Sequence, residues 1–272
     1  MKTVLCLDIG STSLKIAVLQ NGKWIAQPQR MHSPADSNTL AACAESYLSS
    51  CGLTDISRIA VTGVGASLAG ETLLGLPVTH IDEFRSIAAG GLHLSGKDRA
   101  LIISMGTGTA FLYADKETGE VRHLGGTGIG GGTLCGLCRH LIGTSDFHEI
   151  ESLASQGRYS TVDLTIGDVS PTAIDTLSAE LTAANFARLT SAPSPADLAA
   201  GAVNMVLQGI GSMAVFLAAS CSTRDIVVTG SLAAIAQAKP AYDFFNRMYD
   251  ISFTIADEPS FACALGAGLS LV

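Results

Sequence analysis

The residues able to do chemistry in this chain fall into a few polar, glycine-bearing turns and one isolated acid. Asp8-Ile9-Gly10-Ser11-Thr12-Ser13 closes an apolar segment with backbone N–H groups, hydroxyls and one carboxylate. That set suits a phosphate together with its Mg2+, although the same residue types also make plain tight turns. Met105-Gly106-Thr107-Gly108-Thr109 is a second turn of this kind. The densest stretch is Leu124 to Gly136, LGGTGIGGGTLCG, with seven glycines in thirteen residues. Such a run is costly in chain entropy, so it reads as a turn whose backbone meets a ligand at close range. Because Thr133 to Ile142 reads as a helix, the run would feed a helix N-terminus suited to an anion. It is no Walker loop, since no GK[ST] follows. The alternative is a turn that only lets two layers pack closely. Glu83 sits between apolar residues at a strand-to-helix edge, where an acid is by itself a helix-dipole partner.

The elements that position these groups follow from periodicity. Thr3 to Leu7 and Leu14 to Leu19 read as strands on either side of the first turn, and Asn21-Gly22 signals a hairpin into a third strand at Lys23 to Gln27. Asp36 to Ser50 has helical spacing. Ile56 to Val61 and Pro77 to Ile81 read as strands, and Asp82-Glu83-Phe84 opens a helix. Arg99 to Ser104, Ala110 to Ala114 and Val121 to Leu124 repeat the strand, polar turn, strand, turn, strand plan of the N-terminus. Two polar turns, one per repeat, would then face each other and clamp one polyphosphate. Further on, Phe147 to Gln156 reads as a helix and Gly157 to Thr176 as loop with a short edge at Thr161 to Leu164. Leu181 to Phe186 reads as helical, and Pro195 to Cys221 as a long apolar helix. Ile226 to Thr229 is a strand ending in Gly230-Ser231, which opens a helix; Ser252 to Ala256 and Phe261 to Leu269 are the last strand and helix. The expected fold class is α/β with duplicated mixed-sheet domains, 1–98 and 99–272, around a cleft.

Composition narrows the function. A chain of 272 residues that is 47% hydrophobic and 15% charged is densely packed rather than disordered. The net charge of −8 argues against a nucleic-acid partner. The apolar stretch at 203–221 carries Asn204 and Gln208, which favours a buried helix over a membrane span. Seven cysteines, an odd number in mostly apolar surroundings, read as reduced thiols of a cytoplasmic protein with no visible signal peptide.

Taken together, DIGSTSLK (8–15), IDEF (81–84), SMGTGT (104–109), GGTGIGGGTLCGL (125–137), LTAANF (181–186), VVTGSL (227–232) and FACALGAGL (261–269) resemble the type II pantothenate kinases of the actin-like ATPase superfamily. The resemblance covers nearly the whole chain. It implies a two-domain actin-like, ribonuclease H-like fold around a nucleotide cleft and ATP-dependent phosphorylation of the primary hydroxyl of pantothenate. It implies ATP and Mg2+ as cofactors and a homodimer through the long helix, whose simpler reading is burial between layers. Asp8 would help hold Mg2+ through water. Gly10, Ser11, Thr12 and Lys15 would lie near the phosphates, and Gly106, Thr107, Gly108 and Thr109 would form the opposing turn. Gly128, Gly130 and Gly131 would pass close to the nucleotide, and Gly230 and Ser231 would form the adenosine-side turn. Glu83 would take the proton from the attacking hydroxyl. Members of the family carry a substrate-contacting arginine immediately before the glycine loop. Here His123 occupies that position and Arg122 stands one residue upstream, on the opposite strand face. Either a bulge restores Arg122, or His123 takes over, or the acceptor differs. Two alternatives are a dehydratase-activating ATPase of the same superfamily, with Cys135 and Cys138 ligating an iron–sulfur cluster, and a non-catalytic nucleotide or acyl-CoA sensor.

Overall fold

The computed structural model describes residues 3–170, 172, 178–188 and 192–272. The chain begins with strands β1 (Thr3–Ile9), β2 (Ser13–Gln20), β3 (Lys23–Trp24) and β4 (Gln29–His32). Helix α1 (Ser37–Cys51) leads to β5 (Arg58–Thr62), β6 (Thr72–Leu73) and β7 (Leu76–His80). Helix α2 (Glu83–Ser95) connects to β8 (Arg99–Met105), β9 (Thr109–Asp115) and β10 (Glu120–Thr127), followed by α3 (Gly131–Ile142) and α4 (Phe147–Gln156). A small excursion holds β11 (Leu164–Thr165), α5 (Ile166–Val169) and β12 (Thr182–Ala184). The chain closes with α6 (Pro195–Ser220), β13 (Asp225–Thr229), α7 (Ala238–Met248), β14 (Ser252–Ile255) and α8 (Ala262–Leu269).

The strands form two sheets of one plan. In the first, β1 and β2 are antiparallel and β5 and β7 follow parallel to β1, in the order β3-β2-β1-β5-β7-β6 with β4 also on β2. In the second, β10, β9 and β8 are antiparallel and β13 and β14 run parallel to β8. Each sheet thus joins a three-stranded antiparallel meander to two parallel crossover strands.

Alternation along the central strands decides the layers. Leu5, Leu7 and Ile9 pack under α1, whereas Val4 and Cys6 pack on Ala264, Leu265 and Ala267 of α8. Leu101, Ile103 and Met105 pack under α6, whereas Ala100 and Ile102 pack on Ile87, Ala88 and Leu92 of α2. The sheets fall on either side of residue 98, yet the two helices between them are exchanged: α2 lies on the sheet that follows it and α8 on the sheet at the other end of the chain. They cross so closely that a Cβ on Gly90 would stand 1.8 Å from the Ala262 carbonyl oxygen, and one on Gly266 equally 1.8 Å from that of Ser86. No side chain fits at either point.

Several elements differ from the sequence expectation; the third strand, expected to reach Gln27, ends at Trp24. Leu181 to Phe186 is not helical; Thr182–Ala184 pairs with Leu164–Thr165. Fully buried Asp163 then accepts hydrogen bonds from the Phe186 N–H at 2.8 Å, Asn185 Nδ2 at 3.2 Å and Asn204 Nδ2 at 2.8 Å. That network outweighs the helical preference of Leu and Ala. The segment after Ser231 makes a single 3-10 turn to Ala234, and the helix proper is α7 from Ala238. The loop expected at Gly157 to Thr176 contains β11 and α5, and its residues 171 and 173–176 lie outside the described residues. Helix α6 is long and apolar enough to cross a bilayer, but its faces are occupied by the second sheet and by α3, α4 and α7.

Candidate active site

The first wall of the cleft grows out of β1 and β2. Residues opposite each other in neighbouring strands share a face, and the registers pair Asp8 with Lys15 and Asp8 with Thr62. Asp8 thus points to the α8 side of the sheet, just beyond the end of the α8 packing. Its Oδ2 accepts a hydrogen bond from Lys15 Nζ at 3.0 Å in a largely buried ion pair. Burial pushes the Asp8 carboxyl up, and the Lys15 ammonium works against that shift. The turn between β1 and β2 is held by the Gly10 N–H on the Ser13 carbonyl at 3.0 Å and by Ser33 Oγ on the Gly10 carbonyl at 2.7 Å.

Glu83 occupies the first turn of α2. Asp82 caps this helix by accepting from the Arg85 N–H at 2.9 Å, which fixes where Glu83 starts. Burial pushes the Glu83 carboxyl up, and the nearby negative charge of Asp8 adds to the effect. A carboxylate held in that condition is a better proton acceptor than an exposed one.

The second wall has no charge of its own. The turn between β8 and β9 closes through the Gly106 N–H on the Gly108 carbonyl at 2.8 Å. The glycine run backs this turn instead of standing apart from it. Its first part belongs to β10, which continues to Thr127, and α3 begins at Gly131 rather than Thr133. The N–H groups of Gly131 and Gly132 donate to the Gly106 and Thr107 carbonyls at 2.8 and 2.9 Å. Two of the donors expected to receive an anion at this helix N-terminus are therefore committed to the opposing turn. Thr109 Oγ1 donates to the Ile129 carbonyl at 2.8 Å and pins the loop from the other side.

A cavity of about 640 Å³ lies between the walls. Asp8, Gly10, Ser11, Thr12, Lys15, Glu83, Gly106, Thr107, Gly108, Thr109, Gly131, Gly230 and Ser231 all line it. Ser11 Oγ and Thr107 Oγ1, one from each wall, stand 3.3 Å apart. Gly128 and Gly130 do not reach the lining. Gly130 is consumed by packing, since a Cβ there would meet the Thr107 oxygen at 2.6 Å, while Gly128 faces open space.

Neither Arg122 nor His123 lines the cavity. A bulge does interrupt the β9–β10 register, but it falls after His123, between that residue and Gly125, so it does not turn Arg122 inward. Arg122 instead stacks over Tyr113 at 5.2 Å and pairs with Glu120 at 3.6 Å. The His123 ring stacks on Phe84, with centroids 4.3 Å apart and planes 9° from parallel. Phe84 does line the cavity, next to Glu83, so His123 supports the wall beside the acid.

The sequence reading did not single out several lining residues, among them Arg30, Phe84, Phe147, Pro259 and Cys263. Arg30 was recoverable only through the register of β4 on β2, which pairs it with Lys15. Among the described residues no three His, Cys, Asp or Glu side chains cluster to hold a metal. A cation here would rest on Asp8 together with a ligand's phosphates, the usual arrangement for Mg2+. Cys135 and Cys138 do not suit a cluster. Cys138 is fully buried in the core under α6, and burial pushes its thiol up to about 11.

Comparison with known proteins agrees with this architecture. The family model Fumble matches residues 99–246. A type II pantothenate kinase of Oceanobacillus iheyensis is 28% identical over 273 residues, covering 97% of this chain and 98% of its own. One from Staphylococcus haemolyticus is 32% identical over 182 residues, covering 64% and 67%. Among solved structures, the activator of the 2-hydroxyisocaproyl-CoA dehydratase from Clostridium difficile, with bound ADPNP, aligns with a TM-score of 0.67 at 21% identity, covering 98% of this chain and 93% of that one. A ROK family glucokinase from Streptomyces griseus, in complex with glucose and AMPPNP, aligns with a TM-score of 0.63 at 13% identity, covering 98% of each. At such identities the structures carry the fold alone, which is that of the actin-like ATPases. A family match over more than half of the chain, joined to a relative that aligns along nearly all of it, makes this kinase a member of the Fumble family of type II pantothenate kinases.

Proposed function

We propose that the protein transfers the γ-phosphoryl group of ATP to the primary hydroxyl of pantothenate, with Glu83 as general base. The observation that carries this reading is the position of Glu83, in one cavity with the Asp8–Lys15 pair and facing two glycine-bearing turns. Phosphoryl transfer asks mainly for positioning and neutralisation of charge. Lys15 and the backbone donors of both turns supply these, and Glu83 receives the proton as the acceptor oxygen becomes nucleophilic. Mg2+ bound by the phosphates would neutralise part of their charge, and Asp8 is the carboxylate here suited to hold its water shell. The names of the relatives support pantothenate as acceptor.

The test is an ADP-release assay with Mg·ATP, with and without pantothenate, on wild type and Glu83→Gln. Pantothenate-dependent release that falls by about 10²–10⁴-fold in the variant, with ATP affinity kept, is the expected result. Turnover close to wild type in Glu83→Gln would remove the base. Tight ATP binding with no turnover on any pantothenate-like alcohol would favour a sensor. The dehydratase-activator reading gains nothing from Cys135 and Cys138, since Cys138 is buried in the core and only Cys135 borders the cavity.

The proposed assembly is a homodimer through α6. Eleven of its 26 residues are buried, and Phe216 is 73% exposed on it. Light scattering should give twice the chain mass for wild type and a monomer for Phe216→Glu; a monomeric wild type would rule the dimer out. The seven free thiols are compatible with a cytoplasmic location.

A further inference from the structure

Four acidic and basic side chains line the cavity: Asp8, Glu83, Lys15 and Arg30. Lys15 is committed to Asp8 at 3.0 Å. Arg30 is exposed on β4, and among the described residues no carboxylate lies within ion-pairing distance of it. It is therefore the cavity's one uncommitted cation among those residues.

Its place is fixed by strand register. Asp8 pairs with Lys15, and Lys15 pairs with Arg30 on the next strand, so the three side chains form a row on one face of the sheet. On the other side of Asp8 the row continues to Thr62 of β5, and β7 beside it runs on through Ile81 and Asp82 into Glu83. Glu83 and Arg30 thus stand at opposite ends, with the Asp8–Lys15 pair between them. Across the cleft from Arg30 is the start of α3. Burial pushes the Cys135 thiol up, with Asp146 adding to it, and the Arg30 charge is near enough to act in the opposite sense. Cys135 and Phe147 share the cavity lining with Arg30.

Phosphoryl transfer places the attacking oxygen, the phosphorus and the leaving oxygen roughly in line. On the proposed reading, Glu83 marks the attacking end. The acceptor oxygen bonds to the γ-phosphorus and its proton passes to Glu83. The bond from that phosphorus to the β,γ-bridging oxygen breaks, and its electron pair stays on ADP. Negative charge then grows on the side of the row where Arg30 stands.

We infer that Arg30 is a nucleotide-binding residue whose guanidinium holds the diphosphate of the leaving ADP. A planar, permanently charged fork suits adjacent phosphate oxygens, and an arginine reaching across the open cleft binds them without first breaking an ion pair. The inference rests on the kinase reading, but its first test needs no acceptor.

Calorimetric binding of adenosine and of ADP would be measured on wild type, Arg30→Ala and Arg30→Lys, followed by KM values for ATP and pantothenate. Arg30 is exposed, so the variants should melt with the wild type. The expected result is ADP binding weakened roughly 10–100-fold in Arg30→Ala and partly restored in Arg30→Lys, with adenosine binding unchanged. KM should rise for ATP and stay within about twofold for pantothenate. ADP affinity unchanged in Arg30→Ala would overturn the inference and leave the kinase reading intact. So would an equal loss for adenosine, which would mean packing rather than phosphate binding, or a rise in KM for pantothenate alone. Wild-type protein that bound no nucleotide would overturn both.

Discussion

The turn between β1 and β2 and the turn between β8 and β9 share a topology and differ in equipment. The first is flanked by a buried ion pair, Asp8–Lys15, and is followed along its sheet by Arg30 on one side and Glu83 on the other. The second presents glycine, threonine and main chain, and its stiffness comes from the glycine run stacked behind it. One wall carries the ionisable side chains; the other offers a fixed backbone surface. Duplicated architecture has been specialised by side-chain chemistry in one copy and by backbone packing in the other.

That contrast breaks most visibly if charge is deleted from the first wall. Lys15→Met leaves Asp8 as a buried carboxylate without its partner, at a cost of about 3–5 kcal/mol. Thr107→Val on the second wall removes one exposed hydroxyl contact, worth less than about 1 kcal/mol. Denaturant unfolding of both variants checks the difference, and equal losses would abolish it.

The converse break targets main chain. Gly130→Ala drives a Cβ against the Thr107 oxygen and the Gly108 backbone. It should cost about 1–3 kcal/mol and weaken ATP binding, while Gly128→Ala, in open space, should stay within about 0.5 kcal/mol. Thermal melts of the pair, with and without ATP, decide whether the loop acts through packing or through ligand contact.

The pH profile sharpens the contrast. Burial and Asp8 raise the Glu83 pKa, and a base must be deprotonated to act. Turnover should therefore fall as pH drops through a value above that of an ordinary glutamate, by about tenfold per unit below it. The acid limb should change in the residual activity of Glu83→Gln, which leaves Asp8, also pushed up by burial, as the cavity's other carboxylate to titrate. An acid limb unchanged in the variant would assign it elsewhere.

Much of this site was legible in the sequence because short turns are local. Asp8 to Ser13, Gly106 to Thr109 and the Glu83 helix start are specified by neighbours along the chain, and each lines the cavity or borders it as its residue types imply. What was not legible depends on partners far away. The glycine run reads as a ligand loop because its entropy cost is visible while its stacking partner, the Gly106 turn, is not. Leu181 to Phe186 reads as helical because Asp163 and Asn204, which hold it extended, lie elsewhere in the sequence. Arg122 and His123 could be assigned only once the bulge had a position. Arg30 follows a proline and a two-residue strand, without periodicity to mark its face.

The crossing of α2 and α8 sets how these walls are joined. Helices that interlock through side-chain ridges settle at a preferred angle. At Gly90 and Gly266 main chain rests directly on main chain, with no ridge to engage. Each helix is fastened to the sheet across the chain's midpoint, so the two halves of the chain meet at this crossing through main chain rather than through interlocked side chains.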